Sequence, residues 1–568
     1  MSQSGVTTSD GLRLAVTEHG DPALPTVVAV HGYPDDHTVW DDVVTALAVD
    51  HHVVTYDVRG AGASDAPRHR SGYDLDQLTD DLLAVIDAVS PGRPVHLLGH
   101  DWGAIQTWNS VTDERLTGRV ASFTSISGPC LDHVGSWFRR RPTPKNLREI
   151  ARQARSSWYI AAFRLPVLPE LAWRSGLFGR AMVRMEGIPT PSPRDGVNGL
   201  GLYRRNMATR LAAPRRRRTA VPVQVIAPTG DGYVTTPMQT DIAQHVETLF
   251  VRRVPGGHWL PRNRPDVVAR AVRELVADVE TGTQAPALRR ARAGTGRWTD
   301  RVVVVTGAGS GIGRETVLAF ARRGAEVVAA DRDATTAKET AELASALGAR
   351  ATSYQVDVSD GAAMAEFAEQ VAAVHGVPDL VVNNAGIGMA GAFADTTLAD
   401  WEKIIDVNLW GVIHGCRLFA AQMREHGEGG HIVNIASAAA FTPQRTLSAY
   451  ATTKSAVYTL SECLRAELAE HNIGVTAVCP GFVHTNITAT TKFVGADEAT
   501  EQRRQSATTA LYARRNYTPD RVATQIVRAV ERDIAIAPVT PEAHASLLLY
   551  RLTPGLVRAV AKREIGPK

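Results

Sequence analysis

The chain has little cysteine, which argues against a disulfide-stabilised protein and against a cysteine-ligated zinc site. Its 568 residues include four cysteines, which lie far apart in the sequence: Cys130, Cys416, Cys463 and Cys479. No CxxC pair occurs, so we expect neither a disulfide framework nor a zinc site. We therefore expect no metal in either half of the chain.

Features of exported, membrane-spanning and strongly charged proteins are also missing. The first residues, "MSQSGVTTSDGLRLAVTEHG", have neither a basic stretch nor an apolar core, so no signal peptide is expected. No apolar run approaches the length that spans a bilayer. The net charge is +3, which gives no indication of nucleic-acid binding. We expect a cytoplasmic protein that acts on small molecules.

Short β-branched runs alternate with helical patterns in two separate series. The first includes "PTVVAVHG" and "PVHLLGHD", and the second includes "RVVVVTGAG" and "EVVAADRD". This alternation predicts two α/β domains whose parallel sheets are covered by helices. An Arg- and Trp-rich helical insertion at about 130–218 predicts a cap on the first domain. Residues 283–298 have no apolar period and predict a linker, with domains at 1–282 and 299–568.

The segment "GHDWG" places an aspartate where a hydroxyl is usual. A G-x-nucleophile-x-G frame between a strand and a helix is typical of the nucleophile elbow of α/β-hydrolases, whose central residue is usually serine. Here the central residue is Asp101, which the N-terminus of the following helix should keep ionised. A carboxylate that attacks a saturated carbon bearing a strained or good leaving group forms an ester, which water can then hydrolyse.

A base and an oxyanion hole for that hydrolysis are also recognisable. Asp231 follows one late strand and His258 follows the next, which gives the nucleophile–acid–histidine order of this fold. We expect His258 to activate water and Asp231 to orient and stabilise the imidazolium. The backbone N–H groups of Tyr33, in "VHGYPDD", and Trp102 are candidate oxyanion donors.

The motifs "HGYP", "GHDWG", "GDGYV" and "GGHWLP" resemble those of the epoxide hydrolases of the α/β-hydrolase superfamily, over about the first 280 residues. The resemblance implies two cap tyrosines that hydrogen-bond the epoxide oxygen and donate a proton to it. Tyr159 in "SWYIAAF" and Tyr203 in "GLYRRNM" are the matching positions. Such a donor is needed because the departing alkoxide is very basic. The resemblance implies no cofactor for this half.

Two alternatives to epoxide hydrolysis remain open for the first half. Haloalkane dehalogenases also have the sequence HDWG, but they expel a halide, need no proton donor and usually have Asn after the first His-Gly. This chain has Tyr33 at that position, which favours an epoxide. The second alternative is a hydrolase fold that only binds a ligand, joined to a catalytic second half.

In the second half, "VVVVTGAGSGIGRE" ends a strand and begins a helix. Gly307, Gly311 and Gly313 predict a tight turn that brings a pyrophosphate to the helix N-terminus. The next strand ends in Asp331, and a carboxylate there accepts the ribose hydroxyls and favours NAD. Arg332 follows and could instead bind a 2′-phosphate, so NADP remains an alternative.

The ordered set "TGAGSGIG", "VDV", "NNAG", "SAYATTK" and "PGFVHT" resembles the short-chain dehydrogenase/reductase superfamily, over about residues 300–540. The resemblance implies a Rossmann-type, doubly wound parallel sheet. It also implies an active site formed by Asn408, Ser437, Tyr450 and Lys454. The cofactor contacts that it implies, besides the last two, come from Gly307, Ser310, Gly311, Ile312, Gly313, Asp331, Arg332, Asp357, Val358, Asn384, Ala385, Gly386, Pro480, Gly481, Val483 and Thr485.

Tyr450 and Lys454 are one helical turn apart, which suits an acid–base pair. A free tyrosine has a pKa near 10 and is a poor base at neutral pH. A lysine ammonium on the same helix face stabilises the phenolate. We expect Tyr450 to take the alcohol proton and Ser437 to hold the substrate oxygen, with Asn408 supporting a water relay.

The two reactions are chemically consecutive, because an epoxide gives a diol and a dehydrogenase oxidises a secondary alcohol to a ketone. We expect a bifunctional enzyme acting on a hydrophobic or lipid substrate, with two unrelated substrates as the alternative. The arrangement resembles two-domain epoxide hydrolase–dehydrogenase proteins of actinobacteria. The resemblance of the second half to the short-chain dehydrogenases, which usually pair through their long helices, implies a homo-oligomer built on that half. Arginine clusters and the C-terminal "ASLLLYRLTPGLVRAVAKR" leave two interpretations open: a peripheral membrane contact, or an ordinary solvated surface.

Overall fold

The computed structural model describes residues 2–561, and these divide into two compact units at Gly294/Thr295. Each unit has its own sheet and its own buried core. The α/β class predicted for both halves is confirmed, with an α/β-hydrolase fold first and a Rossmann-type parallel sheet second.

Within residues 2–294, the structure has one eight-stranded sheet in the order β1-β2-β4-β3-β5-β6-β7-β8. Strands β1 and β2 pair antiparallel at one edge, and β3 to β8 are parallel. The strands are β1 Ser2–Thr7, β2 Arg13–His19, β3 Thr26–Val30, β4 His52–Tyr56, β5 Val95–His100, β6 Val120–Ile126, β7 Val223–Pro228 and β8 Leu249–Val254. The central strands are buried on both faces, as their continuous apolar runs require.

Helices cover both faces of this sheet and also form the cap. They are α1 Asp41–Leu47, α2 Leu75–Val89, α3 Trp102–Val111, α4 Leu131–Phe138, α5 Pro144–Ser156, α6 Trp158–Phe163, α7 Leu168–Arg174, α8 Leu177–Glu186, α9 Pro193–Ala212, α10 Thr236–Thr240, α11 Leu260–Asn263, α12 Pro265–Thr281 and α13 Pro286–Arg290. The cap helices α4 to α9 are inserted between β6 and β7. Proline in the first turn and a serine or threonine N-cap begin both α5 and α9.

The segment predicted as a linker differs from that expectation. Helix α13 lies inside it, and Leu288 is fully buried against Phe250 and Leu275. The Val251 N–H donates to the Ala291 carbonyl, so this segment extends the β8 edge of the first sheet. A five-residue helix has too few apolar residues to show a helical period in the sequence, so neither α13 nor its packing was predicted.

The second unit has a seven-stranded, fully parallel sheet within the described residues, in the order β11-β10-β9-β12-β14-β15-β17. A two-stranded pair, β13 with β16, lies apart from it. The strands are β9 Val302–Thr306, β10 Glu326–Asp331, β11 Ala351–Gln355, β12 Leu380–Asn383, β13 Met389–Ala390, β14 Gly430–Ile435, β15 Ile473–Cys479, β16 Lys492–Phe493 and β17 Ile536–Pro538.

The helices of this unit are α14 Gly311–Ala321, α15 Ala334–Ala346, α16 Gly361–His375, α17 Leu398–Ile405, α18 Gly411–His426, α19 Ser448–Glu467, α20 Ile487–Thr490, α21 Glu498–Arg515, α22 Pro519–Glu531, α23 Pro541–Leu552 and α24 Pro554–Ala561. Helices α14, α15 and α22 pack on the core of one sheet face, and α16, α18, α19 and α23 pack on the core of the other. The predicted amphipathic C-terminal segment corresponds to α23 and α24, and its last two residues lie outside the described range.

One helical stretch of the described residues, 398–426, is long and apolar enough to cross a membrane by length and composition, with a mean hydropathy of 1.2. This differs from the expectation that no run approaches that length. The stretch comprises α17, a π-helical turn at Asp406–Trp410 and α18. Phe419 and Met423 are fully buried in the core, and Asn408 is on the π-turn. A helix that is buried in the core of a globular domain can have the same length and apolar composition as a membrane-spanning helix, and the burial of these residues matches a core helix.

Candidate active sites

Asp101 is held in a strained backbone conformation between β5 and α3. Its φ is +49° and its ψ is −121°, a region that non-glycine residues rarely adopt. The turn requires small neighbours, because a Cβ added at Gly103 would lie 2.0 Å from the carbonyl oxygen of Val30. The carboxylate therefore stands at the carboxyl end of the sheet, at the N-terminus of α3, as the sequence predicts for a nucleophile elbow.

His258 lies between the two aspartates that the sequence analysis selected. Its Nδ1 is 3.1 Å from Asp231 Oδ2, and its Nε2 is 3.6 Å from Asp101 Oδ1. Asp231 is fixed by the N–H groups of Tyr233 and Val234, which donate to Oδ1 at 2.8 and 2.9 Å. The three predicted residues therefore meet, although 157 positions of sequence separate the first from the last.

The protonation of His258 is controlled by this pair of carboxylates. Burial alone would disfavour the imidazolium, but the charges and hydrogen bonds of Asp231 and Asp101 outweigh it and raise the pKa of His258 to about 10. Burial also acts against the Asp231 carboxylate, yet the contact with His258 and two backbone N–H groups lower its pKa. In the resting protein His258 is therefore a cation held between two anions.

One of the two predicted oxyanion donors is in place. The Tyr33 N–H donates to Asp101 Oδ2 at 2.9 Å, which leaves Oδ1 as the oxygen beside His258. Among the described residues, no hydrogen bond joins the Trp102 N–H to this carboxylate. The Trp102 indole is buried beside the site, with its ring centroid 4.9 Å from that of Tyr203, and the role of the Trp102 N–H as an oxyanion donor stays a prediction.

Both predicted cap tyrosines pack among the aromatic residues around the nucleophile. Tyr203, on α9, is buried, and its ring is 5.3 Å from that of Tyr33 and 6.1 Å from that of Tyr159, on α6. Burial is the main cause that raises the pKa of Tyr203 well above 10, and the Asp101 carboxylate acts in the same direction. Burial and Asp101 raise the pKa of Tyr159 in the same way. Both phenols therefore keep their protons and lie within the electrostatic reach of Asp101.

Two residues that were not predicted from the sequence join the cap to the Asp231 loop. Gln153, on α5, is fully buried; its amide donates to the Tyr233 carbonyl and accepts from the Thr235 N–H, both at 2.8 Å. Tyr233 stacks edge-on against His258, with centroids 4.8 Å apart, and its hydroxyl donates to Glu186 on α8. The position of Tyr233 two residues after Asp231 was a usable signal, whereas a lone helical glutamine gave none.

In the second unit, the glycine-rich turn is built around close backbone contacts. Gly307 has a φ of +63°, and a Cβ at Gly313 would lie 2.1 Å from the Gly307 carbonyl oxygen. Helix α14 begins at Gly311, so its free N–H groups point toward this turn. Thr485 lies beside the same turn, 3.4 Å from the position of a Cβ on Gly311. The cradle fits a pyrophosphate at the helix N-terminus.

Asp331 ends β10 beside that turn, as the sequence predicts for a ribose-binding carboxylate. Its Oδ2 accepts the Gly309 N–H at 2.8 Å, and its Oδ1 accepts the Asp333 N–H at 3.1 Å. Gly309 was missed by the sequence analysis although it stands inside "TGAGSGIG". Arg332 is exposed next to Asp331. Two N–H donors thus fix the carboxylate at the edge of the cradle.

The other predicted cofactor residues fall into two groups. Some form the framework: the Asn384 amide donates to the carbonyls of Thr306 and Gly307, both at 3.0 Å, instead of being free for a ligand. Asp357 accepts from Ser359, and Val358 is buried beside Gly411. The rest line the strand ends around the cradle: Ser310, Ile312, Ala385, Gly386, Pro480, Gly481 and Val483.

Ser437, Tyr450 and Lys454 meet at the carboxyl end of β14. Lys454 Nζ donates to the Ile435 carbonyl at 2.9 Å and lies 5.9 Å from the centre of the Tyr450 ring. Burial lowers the pKa of Lys454 to about 8. Burial raises the pKa of Tyr450, and a hydrogen bond with Ser437 opposes that shift. Ser437 thus contacts the phenol that is the candidate base, and Lys454 lies close to the same ring.

Asn408 lies in the same cluster because the helix is wound as a π-turn at this point. It is fully buried, and its side chain pairs with Ile387, accepting the N–H at 2.8 Å and donating to the carbonyl at 3.0 Å. A Cβ on Gly386 would lie 3.2 Å from Asn408 Oδ1 and 3.4 Å from Lys454 Nζ. Asn408 and Lys454 therefore border one small space, which suits a relay between them. π-Turns of this kind frequently occur at functional sites.

A further tyrosine near this site had no sequence signal. Tyr512, on α21, packs edge-on against Phe482, with ring centroids 5.0 Å apart. Burial raises its pKa, and proximity to Tyr450 adds to that effect. The segment after Thr485 therefore brings an aromatic residue close to the candidate base.

Comparison with known proteins identifies both halves and their combination. Residues 301–493 match the short chain dehydrogenase family, and residues 25–264 match the alpha/beta hydrolase fold. The chain is 44% identical over 583 residues to the "Probable oxidoreductase EphD" of Mycobacterium tuberculosis (strain H37Rv), covering 99% of this chain and 98% of that protein.

The second half alone has further relatives. It is 40% identical over 209 residues to the short chain dehydrogenase/reductase astE of Aspergillus oryzae, covering 36% of this chain and 80% of that protein. A crystal structure of a short-chain dehydrogenase/reductase from Burkholderia phymatum in complex with NAD is 29% identical, covers 48% of this chain and 98% of its own, and has a TM-score of 0.43.

Proposed function

Because the chain belongs to the family of two-domain enzymes that includes EphD, with an α/β-hydrolase domain followed by a short-chain dehydrogenase/reductase domain, we propose that it opens an epoxide and then oxidises the resulting alcohol. The hydrolase chemistry is assigned to residues 1–282 and the redox chemistry to residues 299–568. The observation that carries the first assignment is an aspartate elbow facing two protonated tyrosines.

The first step uses Asp101 and the cap tyrosines. Asp101 Oδ1 attacks a ring carbon, the carbon–oxygen bond of the epoxide breaks, and the departing oxygen takes a proton from Tyr203 or Tyr159. The Tyr33 N–H holds Oδ2, which becomes the carbonyl oxygen of the alkyl ester. The raised pKa of both tyrosines keeps the proton in place until an alkoxide, which is more basic, needs it.

The second step regenerates Asp101. Ester formation removes the Asp101 charge that helps hold the proton on His258, so the pKa of His258 falls. Its proton can then pass to the tyrosinate left by the first step, which restores the phenol and leaves His258 neutral. His258 then takes a proton from water, and the resulting hydroxide attacks the ester carbonyl, whose oxyanion is stabilised by the Tyr33 N–H. Collapse of this intermediate breaks the ester bond to the substrate oxygen, which takes the proton of the newly added hydroxyl group, so the diol leaves and the Asp101 carboxylate is restored.

Haloalkane dehalogenation is disfavoured by the same geometry. A halide leaves without a proton, so the two cap tyrosines that pack together beside Tyr33 would have no role as proton donors. Turnover of an epoxide and a matched chloroalkane by the purified protein separates the two. Epoxide opening that is lost in Tyr203→Phe supports the proposal, and chloride release that is unaffected by this change contradicts it.

For the second half we propose oxidation of a secondary alcohol. The glycine turn, Asp331 and Thr485 would hold a nicotinamide cofactor, which supplies the hydride acceptor, and the Asp331 carboxylate favours NAD. Ser437 binds the substrate oxygen, Tyr450 takes its proton, and Lys454 stabilises the phenolate. Asn408 and Lys454, which both border Gly386, would pass the proton on through water.

The two reactions are proposed to follow each other on one hydrophobic substrate, because the diol from the first is a secondary alcohol for the second. The test supplies a hydrophobic epoxide in ¹⁸O-water with NAD, and follows diol, hydroxyketone and NADH. Asp101→Asn should stop diol formation, while Tyr450→Phe should leave labelled diol and stop NADH formation. Labelled diol that is never oxidised by the intact protein would contradict the consecutive scheme but not the hydrolase assignment.

A further inference from the structure

The tip of the cap exposes an unusual cluster of large apolar side chains. Between α6 and α7, Leu165, Val167 and Leu168 are 48%, 61% and 63% exposed. Leu171 and Leu177, on the next two helices, are more than half exposed as well. We call residues 164–168 the cap tip. Exposed apolar patches of this kind mark interaction surfaces more often than isolated exposed leucines do.

The cap tip is built rigidly. Arg204 donates to the carbonyls of Phe163 and Leu165 at 2.9 and 2.8 Å, and it pairs with Glu170 at the start of α7. Val167 has a φ of +66°, which is a strained conformation for a β-branched residue. The contacts of Arg204 tie the chain just before Val167 and the start of α7 to α9.

The surroundings of the cap tip are strongly basic. Residues 139–184 contain eleven basic residues and two acidic ones, a net charge of +9, whereas the whole chain carries only +3. On α8, Leu177, Arg180 and Arg184 follow the i, i+3, i+7 spacing of one helix face, and all three are exposed. A surface that combines exposed apolar side chains with arginines suits an anionic bilayer, because the apolar groups can insert among the lipids and the arginines can bind the headgroups.

The cap tip is directly connected to the hydrolase site. Phe163, the residue before it, packs against Tyr203 and Tyr33 with ring centroids 5.1 and 5.8 Å apart. Arg204, which fixes the tip, adjoins Tyr203 in sequence. An apolar substrate that leaves a bilayer at the tip would therefore reach the candidate proton donor over a short aromatic path.

We propose that the cap tip docks the protein on an anionic lipid surface and presents the hydrolase site to substrates held in the bilayer. The tip supplies the apolar insertion, and the cap arginines supply the attraction to anionic headgroups. This extends the proposed hydrolase function. Binding to vesicles is measured without turnover, so a failure of docking is distinguishable from a failure of the epoxide chemistry.

The experiment uses the full chain and vesicles of phosphatidylcholine, alone or mixed with phosphatidylglycerol, in a flotation assay. The test variant is Leu165→Ser/Val167→Ser/Leu168→Ser. The matched control is Leu548→Ser/Leu552→Ser/Leu556→Ser, which removes exposed leucines from the C-terminal helices. A second test variant, Arg180→Glu/Arg184→Glu, changes the charge and keeps the apolar tip.

The wild type should float with the anionic vesicles. The tip variant should bind these vesicles at least about tenfold more weakly than the wild type. The control should bind like the wild type, and the arginine variant should lose binding to anionic vesicles. Equal binding by the tip variant and the wild type would overturn the proposal, as would a wild type that binds neither vesicle. Concentration-dependent self-association that the tip variant abolishes, without vesicle binding, would identify a second copy as the partner and also overturn it.

Discussion

His258 Nε2 lies 3.6 Å from Asp101 Oδ1, so the candidate base and the candidate nucleophile form an ion pair in the resting protein. This contact links the two half-reactions. While Asp101 is free, its charge helps keep His258 protonated, and once Asp101 is esterified, that charge is gone. His258 can therefore act as a base only after Asp101 has reacted with the substrate.

The first prediction concerns the pKa of His258 in Asp101→Asn. Removal of one of two anions should lower this pKa clearly from its value of about 10, because Asp231 alone then opposes the effect of burial. Histidine NMR titration measures it. The His37 resonance is an internal reference, since its pKa is raised by the separate Asp57.

The sign of the pH dependence follows. Ester hydrolysis needs neutral His258, so its rate should rise with pH through the lowered pKa, and the ester should persist longest at acid pH. A pKa of His258 that is the same in Asp101→Asn and in the wild type would contradict this coupling.

The second prediction is a loss of epoxide opening in Tyr203→Phe. Removing a proton donor should slow ring opening by about 10²- to 10⁴-fold, with a smaller effect on hydrolysis of a preformed ester. Single-turnover kinetics separate the two steps. Tyr56→Phe is the matched control, because the hydroxyl of Tyr56 is buried without a hydrogen-bond partner among residues 2–561. A Tyr203→Phe variant with full activity would remove this residue from the mechanism.

The third prediction concerns the stability of the hydrolase unit. Gln153→Leu leaves the Tyr233 carbonyl and the Thr235 N–H without their partner, so it should cost about 2–4 kcal/mol of unfolding free energy. Denaturant unfolding followed by tryptophan fluorescence measures this cost. Gln244→Leu is an exposed control that should change stability by less than about 0.5 kcal/mol. Equal midpoints for the two variants would show that the cap is not anchored through Gln153.

The fourth prediction concerns cofactor choice. Asp331→Ser removes the carboxylate that repels a 2′-phosphate, so the ratio of kcat/KM for NAD to that for NADP should fall by about tenfold or more. Arg332→Leu tests the opposite contribution and should weaken NADP use further in the Asp331→Ser background. If the intact protein already prefers NADP, the proposed role of Asp331 is wrong.

Much of both sites could be predicted from the sequence because catalytic groups stand at fixed positions after strands. Each residue of the set Asp101, Asp231 and His258 follows a parallel strand. The carboxyl ends of parallel strands lie at the same edge of a sheet, so these three side chains could be expected to lie close together. The same holds for Asp331, which ends its strand, and for Tyr450 and Lys454, which share a helix face.

What the sequence did not predict depends on tertiary contacts that carry no local pattern. Gln153 looks like any polar helical residue until its helix is placed against the Asp231 loop. Leu288 lies in a segment whose apolar residues follow neither a helical nor a strand period, and it is buried because it packs against the Phe250 side chain. The strained conformation of Asp101 could be expected from its place on the turn, whereas the hydrogen bond from the Tyr33 N–H to its Oδ2 depends on how the β3 loop packs against that turn.

The most direct test of the account is the mass of the Asp101 peptide after a single turnover. His258→Gln should accumulate the ester, so this peptide should gain the mass of one epoxide molecule. In the intact protein turned over in ¹⁸O-water, the label should appear in the Asp101 carboxylate, because water attacks its carbonyl carbon. An unmodified and unlabelled Asp101 peptide alongside diol formation, together with full activity of Asp101→Asn, would contradict the account.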